Sequence, residues 1–368
     1  MSSPVRITLA QALAWRLDRH FLTGDGARGT SVEHVVERLT AVPAFSGDPQ
    51  IAIGVRLDQT ADADLAAARR DGRILKTYAY RGTTHLMTPA HAGIPMALRA
   101  SSRMWERASW RSYYQLEATD WPDLRAAVRE ALADGPLTRD SLVDAVTATP
   151  RFAHLRAGLS DDSQTLLKPF AWQGDLCFAP PGYGAVAFQR PDTLPGWQGI
   201  PPLDEAGPAA ITAYLQAYGP ADDARLKYWL GEGLGVSAKR IGAWIAALGE
   251  EVVEVDVDGQ PRHALAEHAD DLAATQTGDD VALLAGHDQW VLGPGTADAT
   301  VVPTARRSEI SRGANLLVDG GVAAGTWKVT SGVVTVDTFE GAARPDAAAL
   351  EKALARLGHA MGEDVHLG

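Results

Sequence analysis

The first quarter of the chain passes from helical to extended patterns of apolar residues. Leu9, Leu13 and Leu17 lie four positions apart, and this spacing predicts an amphipathic helix. Ser31 precedes a second helical pattern and suits its N-cap. A third, short helical pattern follows, and residues 74–87 are then rich in strand-forming residues. Three helices followed by strands is the order of a winged-helix unit.

Two later segments repeat this order of patterns. In each, an apolar helical pattern ends at a Gly-Pro pair, and a polar residue that suits the N-cap of the next helix follows. The two pairs and their caps are Gly135-Pro136 with Thr138, and Gly219-Pro220 with Asp222. Behind the first pair, residues 162–188 predict a helix, a strand, a glycine turn and a second strand.

The third segment carries the clearest hairpin signal. Ser237 suits the N-cap of a helix whose apolar residues recur at helical spacing. Those residues are Ile241, Trp244, Ile245 and Leu248. Residues 251–266 then alternate apolar and polar side chains around Asp258-Gly259, a pair that favours the tight turn of a β-hairpin. A helix–turn–helix followed by a hairpin predicts a winged helix.

From about residue 278 the pattern changes to short apolar strands separated by glycine turns, which predicts a small β-barrel or sandwich. Residues 346–362 end the chain with an amphipathic helical pattern. The predicted fold class is α+β, with three tandem winged-helix units followed by a small β-barrel domain and a C-terminal helix. The predicted boundaries are 1–120, 121–200 and 201–277 for the winged-helix units and 278–368 for the last domain.

Composition agrees with a globular protein of several domains. The chain has 368 residues, 46% hydrophobic and 22% charged, and it is too long for one ordinary core. No run of 18 apolar residues occurs, and charges interrupt the first twenty residues, so we expect no membrane span and a cytoplasmic protein. The single cysteine, Cys177, excludes an internal disulfide, and its apolar neighbours predict a buried, inert thiol.

Charge and motif content limit the function classes. A net charge of −12 argues against strong non-specific nucleic-acid binding, because neutralising phosphates requires a concentrated surface of Lys and Arg. Local patches of basic residues decide binding, however, so duplex DNA stays a candidate partner. The sequence contains neither a phosphate-binding G-x-x-x-x-G-K-[ST] loop nor H-E-x-x-H, and its ten histidines are scattered. We therefore expect no cofactor and no metal site.

Five phrases carry a family resemblance, and they occur in a fixed order along the chain. They are KTYAYRGTTHLMTP (76–89), the Gly-Pro stretches at 135–142 and 219–231, LLAGHDQWVLG (283–293) and LLVDGGVAAGTW (316–327). Together they resemble the bacterial winged-helix DNA glycosylases of the AlkZ and YcaQ type. The resemblance implies a C-shaped channel for duplex DNA. It also implies hydrolysis of the N-glycosidic bond of alkylated purines, including the unhooking of interstrand crosslinks, in DNA repair or self-resistance.

The catalytic motif that the resemblance implies is a Gln-Φ-Gln, His-Φ-Gln or Gln-Φ-Asp triplet after the second helix of the first unit. Its polar groups would position a water or stabilise the oxocarbenium-like sugar. An ungapped alignment places the triplet at Val42, Pro43 and Ala44. A shift of up to three residues places it at Phe45, Ser46 and Gly47. Neither register supplies Gln, His or Asp, which predicts that the usual base-excision chemistry is absent.

Two other residues are candidate catalytic groups. Asp48 could supply a carboxylate just beyond the triplet, although Asp48-Pro49 is also typical of a helix start. For His85, in RGTTHL, three roles are open: catalysis, contact with DNA, or a purely structural role. His287 replaces the Phe that the resemblance implies before Asp-Gln-Trp, and Trp290 is expected to be a core indole.

Basic residues on predicted recognition elements are candidate contacts to phosphates. This set consists of Arg81, Lys168, Lys239, Arg240, Arg306, Arg307 and Arg312. The alternative for each of them is a solvent-exposed side chain whose charge is balanced by neighbouring acidic residues. An aromatic series between arginines either stacks on an exposed base or packs against other parts of the chain. Its members are Trp105, Trp110, Tyr113 and Tyr114.

Three functions stay open from the sequence. The first is a DNA-binding protein that keeps the glycosylase scaffold and lacks its excision chemistry. The second is an active glycosylase that uses displaced residues, and the third is a channel that binds or transforms a small molecule. The predicted partner is double-stranded DNA, alkylated DNA included, with a small-molecule ligand as the alternative, and we expect a monomer.

Overall fold

The computed structural model describes residues 5–24, 26 and 29–368. Within them, the first α-helices are α1 (Leu9–Arg19), α2 (Val32–Arg38), α3 (Pro49–Leu57), α4 (Asp62–Arg70), α5 (Pro89–Ala100), α6 (Ala108–Tyr114), α7 (Trp121–Ala131), α8 (Arg139–Thr147) and α9 (Arg156–Ser160). The later ones are α10 (Lys168–Trp172), α11 (Leu203–Tyr218), α12 (Asp223–Leu226), α13 (Ala238–Leu248), α14 (Ala269–Ala274), α15 (Gln289–Leu292), α16 (Arg307–Ser311) and α17 (Ala347–Met361).

The strands are mostly short. In the first half of the chain they are β1 (Val5–Ile7), β2 (Val42–Pro43), β3 (Leu75–Tyr78), β4 (Thr84–Met87), β5 (Leu137–Thr138), β6 (Cys177–Phe178) and β7 (Ala187–Gln189). In the second half they are β8 (Val252–Val257), β9 (Gln260–Leu265), β10 (Val281–Leu284), β11 (Leu316–Asp319), β12 (Val322–Thr330), β13 (Val333–Thr338) and β14 (His366–Leu367).

The chain divides into two compact units. Unit 1 consists of Met1–Leu65, Pro208–Gly231 and Ser237–Gly368. Unit 2 consists of Ala66–Gly207 and Glu232–Val236. The predicted division into four domains is not tested by these units and stays a prediction.

Polar caps begin the helices where the sequence predicts them. The Ser31 hydroxyl accepts a hydrogen bond from the His34 amide at 3.2 Å, which starts α2. Thr138, Asp222 and Ser237 accept in the same way at the starts of α8, α12 and α13. Each cap satisfies one of the amide groups that the first turn of a helix leaves without a partner. These predicted N-caps are confirmed.

Unit 1 contains two sheets. In the first, β1 pairs in parallel with β8, and β8 and β9 form the antiparallel hairpin predicted around Asp258-Gly259. The second has the order β10-β11-β12-β13-β14. Its edges are β10 and β14, so the predicted small barrel is an open half-barrel sheet. The predicted C-terminal helix forms α17, and Gly54 allows α3 to approach it closely, because a Cβ there would lie 2.9 Å from the Cβ of Ala360.

One predicted element of unit 1 is wrong. The sequence predicts short strands through residues 279–295, but the chain leaves β10 at Leu284 and turns into the helical α15. The carboxylate of Asp288 accepts a hydrogen bond from the Trp290 amide at 2.7 Å and caps this helical turn. A local side-chain cap therefore overrides the apolar pattern of the phrase.

Unit 2 contains strands β4, β3, β6, β7 and β5, in that spatial order and with antiparallel pairing. Its core is rich in aromatic side chains, and Trp105, Trp121 and Trp172 are buried there. Cys177 is buried, and this burial raises its pKa to about 12. The predicted burial of this thiol is confirmed, and a buried thiol with a raised pKa holds little thiolate.

Across the part of the chain that the structure describes, none of the helices combines the length and the apolar character that crossing a bilayer demands.

Candidate functional site

Residues 39–48 of unit 1 connect α2 to α3 and include both alternative positions of the catalytic triplet. The first half of this motif segment is buried, and Leu39, Ala41 and Val42 are at most 1% exposed. Pro43 is buried as well, whereas residues 44–47 are half-buried or exposed. Solvent therefore reaches Ala44 and the whole of the shifted register at 45–47, but not the side chain of Val42.

Two side chains of unit 1 hold the buried half of the motif segment by its carbonyl groups. The hydroxyl of Tyr218 donates to the carbonyl oxygen of Leu39 at 2.8 Å. The side-chain amide of Gln289 donates to the carbonyl oxygen of Ala41. Tyr218 and Gln289 are both buried, so these bonds satisfy backbone acceptors that water cannot reach. They fix the path of the segment.

The far end of the motif segment is fixed by a close backbone contact and a helix cap. Gly47 has a φ of +86°, and a Cβ there would lie 2.5 Å from the carbonyl oxygen of Gly286. Only glycine fits this position. One carboxylate oxygen of Asp48 accepts a hydrogen bond from the Ile51 amide at 3.0 Å and starts α3. The helix-start interpretation of Asp48-Pro49 is confirmed, and Asp48 remains exposed.

A buried ion pair ties α3 to the Asp-Gln-Trp phrase. The guanidinium of Arg56 donates to the two carboxylate oxygens of Asp288 at 2.8 and 2.7 Å, and both side chains are fully buried. Arg56 also donates to the carbonyl oxygen of Ala52. This bidentate geometry is the strongest form of an Arg–carboxylate contact. The pair thereby joins α3 to the residue directly before Gln289, which binds the motif segment.

His287 lies next to the outward-facing half of the motif segment. A Cβ on Gly47 would lie 3.4 Å from the Cβ of His287. The imidazole covers Gly313, where a Cβ would lie 2.4 Å from its Cε1, and the backbone of His287 is left-handed with φ +60°. Among the described residues, none forms a hydrogen bond or an ion pair with this ring. In the sequence, His287 is distinguished only as a replacement for Phe, and no pattern there indicates this proximity.

Trp290 is a core indole, as the sequence predicts. It is fully buried, and its Nε1 donates to the carbonyl oxygen of Gly321 at 3.0 Å. The ring of His20 packs edge-on against it at 5.2 Å, and the guanidinium of Arg16 lies 5.7 Å from its centroid. The three residues of the Asp-Gln-Trp phrase thus have three roles. Asp288 pairs with Arg56, Gln289 binds the carbonyl oxygen of Ala41, and Trp290 packs in the core.

The second catalytic candidate, His85, lies in unit 2. It is buried on β4, and its Nδ1 donates to the carbonyl oxygen of Thr83 at 3.1 Å. Burial and the nearby Arg81 lower its pKa to about 4, although the bond to Thr83 acts in the opposite direction. His85 is therefore neutral at physiological pH.

The basic candidates differ in exposure. In unit 2, Lys168 is half-buried, with its Nζ 5.7 Å from the ring centroid of Tyr78, and burial lowers its pKa. In unit 1, Arg306 lies over the ring of Phe339 at 4.7 Å and within 3.9 Å of Glu309. The remaining unit 1 candidates are exposed on α13 and on or just after α16, namely Lys239, Arg240, Arg307 and Arg312.

The aromatic series of unit 2 separates into buried and exposed members. Trp105 is buried and packs against Trp121 at a centroid distance of 5.8 Å. Tyr114 is half-buried beside Trp110, at 5.0 Å. Tyr113 is mostly exposed. Packing is therefore the role of Trp105, while Tyr113 presents its ring to solvent.

No metal-binding cluster is found among the described residues. They contain no group of three or more His, Cys, Asp or Glu side chains that could hold a metal ion.

Comparison with known proteins places this arrangement in a family. The family model described as "DNA glycosylase AlkZ-like" matches residues 36–360, which includes the outward-facing half of the motif segment and the Asp-Gln-Trp phrase. The chain belongs to the AlkZ-like DNA glycosylases. A curated relative, an interstrand DNA cross-link repair glycosylase of Streptomyces sahachiroi, is 35% identical over 360 residues, which is 96% of each chain. The resemblance to AlkZ-type DNA glycosylases that the sequence shows is confirmed.

The fold of a solved AlkZ-like protein matches as well. The DNA glycosylase AlkZ of Streptomyces sahachiroi aligns with a TM-score of 0.91 and 32% identity, covering 99% of this chain and 100% of that one. This AlkZ-like chain is thus a mixed helix-and-strand protein on a DNA glycosylase scaffold. Its family implies DNA as the molecule bound. Its motif segment nevertheless presents only Ala44, Phe45, Ser46 and Gly47 to solvent.

Proposed function

We propose that this protein binds duplex DNA on the glycosylase scaffold and lacks base excision through a polar triplet. The solvent-facing residues 44–47 carry the proposal. Methyl and phenyl groups cannot orient a water, and Ser46 offers a single hydroxyl where the family motif has two polar side chains. The anchored backbone supports the same conclusion, because Tyr218, Gln289 and Gly286 hold the segment in this path.

The proposal includes the three winged-helix units with boundaries 1–120, 121–200 and 201–277, followed by the domain 278–368. The third unit is supported best. Its α12 and α13 are followed by the β8–β9 hairpin, which is the order of a helix–turn–helix with a wing. In such units the second helix contacts DNA, and Lys239 and Arg240 lie exposed in the first turn of α13.

The phosphate contacts that we propose are the basic candidates predicted from the sequence. In unit 1 they are Lys239, Arg240, Arg306, Arg307 and Arg312, and in unit 2 they are Arg81 and Lys168. Exposure of Arg307 and Arg312 supports their role, because an exposed guanidinium can approach a phosphate without losing a buried partner. Exposed basic residues on single elements, such as Lys239 and Arg240 on α13, reconcile DNA binding with the net charge of −12.

Duplex binding is expected to weaken steeply with salt, and the double variant Arg307→Ala/Arg312→Ala is expected to reduce that dependence. Each lost phosphate contact lowers the magnitude of the slope of log K against log salt by about 1. Electrophoretic mobility shift at several salt concentrations measures the slope. Arg156→Ala is a matched control, since Arg156 is exposed and paired with Asp144 outside the proposed contacts. Absence of salt-dependent duplex binding would contradict the proposal and favour a small-molecule role.

On N7-alkylated duplex DNA, the protein is expected to release few or no abasic sites. The Streptomyces sahachiroi relative serves as the positive control. Loss of a stabilising polar group typically slows catalysis by about 100- to 1000-fold, and two such groups are absent here. Abasic sites are scored by strand cleavage in alkali under single-turnover conditions. Excision at a rate within tenfold of the relative would overturn the proposed loss of chemistry.

A second candidate function is excision by displaced groups, and the position of His287 beside Gly47 is the observation that favours it. Asp48 and His85 are the candidates from the sequence, and Asp48 remains exposed although it caps α3. Any excision is assigned by three variants. Asp48→Asn keeps the cap and removes the charge, His287→Phe installs the residue implied by the resemblance, and His85→Asn changes the buried histidine. Excision that is lost in one of these variants and kept in the other two identifies the displaced group.

A further inference from the structure

The motif segment presents one large apolar side chain to solvent. Phe45 is 78% exposed, whereas Val42, three residues earlier, is 1% exposed. A phenyl ring left in water forgoes the stabilisation that its burial would contribute. Single exposed apolar residues are common on protein surfaces, so exposure alone does not indicate a function for Phe45. Its location in the motif segment and its fixed backbone do.

The backbone on both sides of Phe45 is fixed. Residues 41–43 are buried, and the carbonyl oxygen of Ala41 accepts a hydrogen bond from the side-chain amide of Gln289. Behind Phe45, Gly47 packs directly on Gly286 and Asp48 starts α3. A ring presented on such a backbone loses little conformational freedom when it binds a partner, because its main chain is already ordered.

Phe45 is open to a flat partner. It is 78% exposed, and its neighbours in the chain, Ala44, Ser46 and Gly47, have small side chains or none. A second copy of this chain is a poorer partner. Among the described residues of unit 1, Leu367 is the other large hydrophobic side chain that is exposed. Two such side chains fall well short of the roughly 1,200–2,000 Å² that a specific protein–protein interface buries.

We propose that Phe45 stacks on a nucleobase that has left the base stack of bound duplex DNA. The inference rests on the proposed DNA binding. It assigns the motif segment a role in binding a displaced base instead of excising it. Every base offers a flat π face, so an aromatic ring binds it without regard to sequence. A base that is already unstacked costs least to capture. Phe45 would thus make the protein prefer duplexes that contain a displaced base.

Fluorescence anisotropy with two duplexes tests this proposal. One duplex is fully paired, and the other has the same sequence with a single unpaired adenine at its centre. The wild type is expected to bind the second more tightly, and Phe45→Ala is expected to lose about 5- to 100-fold of that preference. Phe45→Trp retains it, because an indole also stacks. Leu367→Ala, which removes another exposed apolar side chain of unit 1, is expected to leave it unchanged.

The outcomes separate this inference from the proposed function. Salt-dependent duplex binding with an unchanged preference in Phe45→Ala would overturn the stacking and leave DNA binding standing. Absence of any duplex binding would overturn both. A dimer in analytical ultracentrifugation that disappears in Phe45→Ala would show that the ring binds a second copy, and this too would overturn the stacking. A loss shared by Phe45→Ala and Phe45→Trp would exclude an aromatic contact.

Discussion

Asp288→Ala is expected to lower the free energy of unfolding by about 3–5 kcal/mol. The substitution leaves the guanidinium of Arg56 buried and without its carboxylate, since both side chains are fully buried. It also removes the cap of α15, because the same carboxylate accepts from the Trp290 amide. Denaturation in urea, followed by circular dichroism and tryptophan fluorescence, measures the change.

Two comparisons separate burial from charge pairing as the cause of this loss. Asp144→Ala removes the partner of Arg156 in a pair whose side chains are 68% and 56% exposed, and exposed pairs contribute about 0–1 kcal/mol. The double variant Arg56→Met/Asp288→Leu replaces the buried pair by apolar side chains and is expected to recover much of the stability. A loss from Asp288→Ala no larger than that from Asp144→Ala would show that water reaches Arg56.

Local features of the fold could be predicted from the sequence. Ser31 and Ser237 are confirmed N-caps, and Asp258-Gly259 forms the hairpin turn. Each of these depends on residues within a few positions of one another, so the chemistry of a short stretch decides the outcome. The buried indole of Trp290 follows from an apolar phrase in the same way.

Features that join distant parts of the chain could not be predicted. The contact of His287 with Gly47 and the ion pair of Arg56 with Asp288 depend on how α3 packs beside the segment after β10. The sequence also left two registers for the catalytic triplet. Burial of Val42 shows which half of the motif segment faces solvent, and the choice between the two registers stays a prediction. Burial is a property of tertiary packing, which alternation within a short, nearly apolar stretch does not encode.

The motif segment is held through its main chain. Gln289 and Tyr218 bind backbone carbonyls of the segment rather than its side chains. These contacts place no demand on the side chains of residues 44–46, whereas the close contact of Gly47 with Gly286 restricts that position to glycine. The segment can therefore keep its path with different side chains at 44–46, and here it presents Phe45 to solvent.

Acidification from pH 7 to pH 5 is expected to lower the free energy of unfolding by up to about 2 kcal/mol for each of two buried histidines. Burial lowers the pKa of His20 well below 6.5, with Arg56 and Arg16 adding to the effect, and lowers that of His85 to about 4. In the unfolded chain both pKa values return to about 6.5. The unfolded state therefore binds more protons below pH 6.5. The stability is fully present above that pH and falls as the pH decreases, until His85 is protonated in the fold near pH 4.

Variants that keep the hydrogen bonds but cannot be protonated test this expectation. The Nε2 of His20 donates to the carbonyl oxygen of Ala217 at 2.9 Å, and the amide of His20→Gln can reach the same acceptor. His85 bonds through Nδ1, a position that the amide of His85→Asn reproduces. Each variant is expected to reduce the dependence of unfolding free energy on pH between 6.5 and 5 by up to about 1.4 kcal/mol per pH unit. His154→Gln changes an exposed imidazole and is expected to leave that dependence unaltered. If His20→Gln and His85→Asn both retain the pH dependence of the wild type, other groups cause the loss of stability in acid. Both imidazoles would then be hydrated in the folded protein.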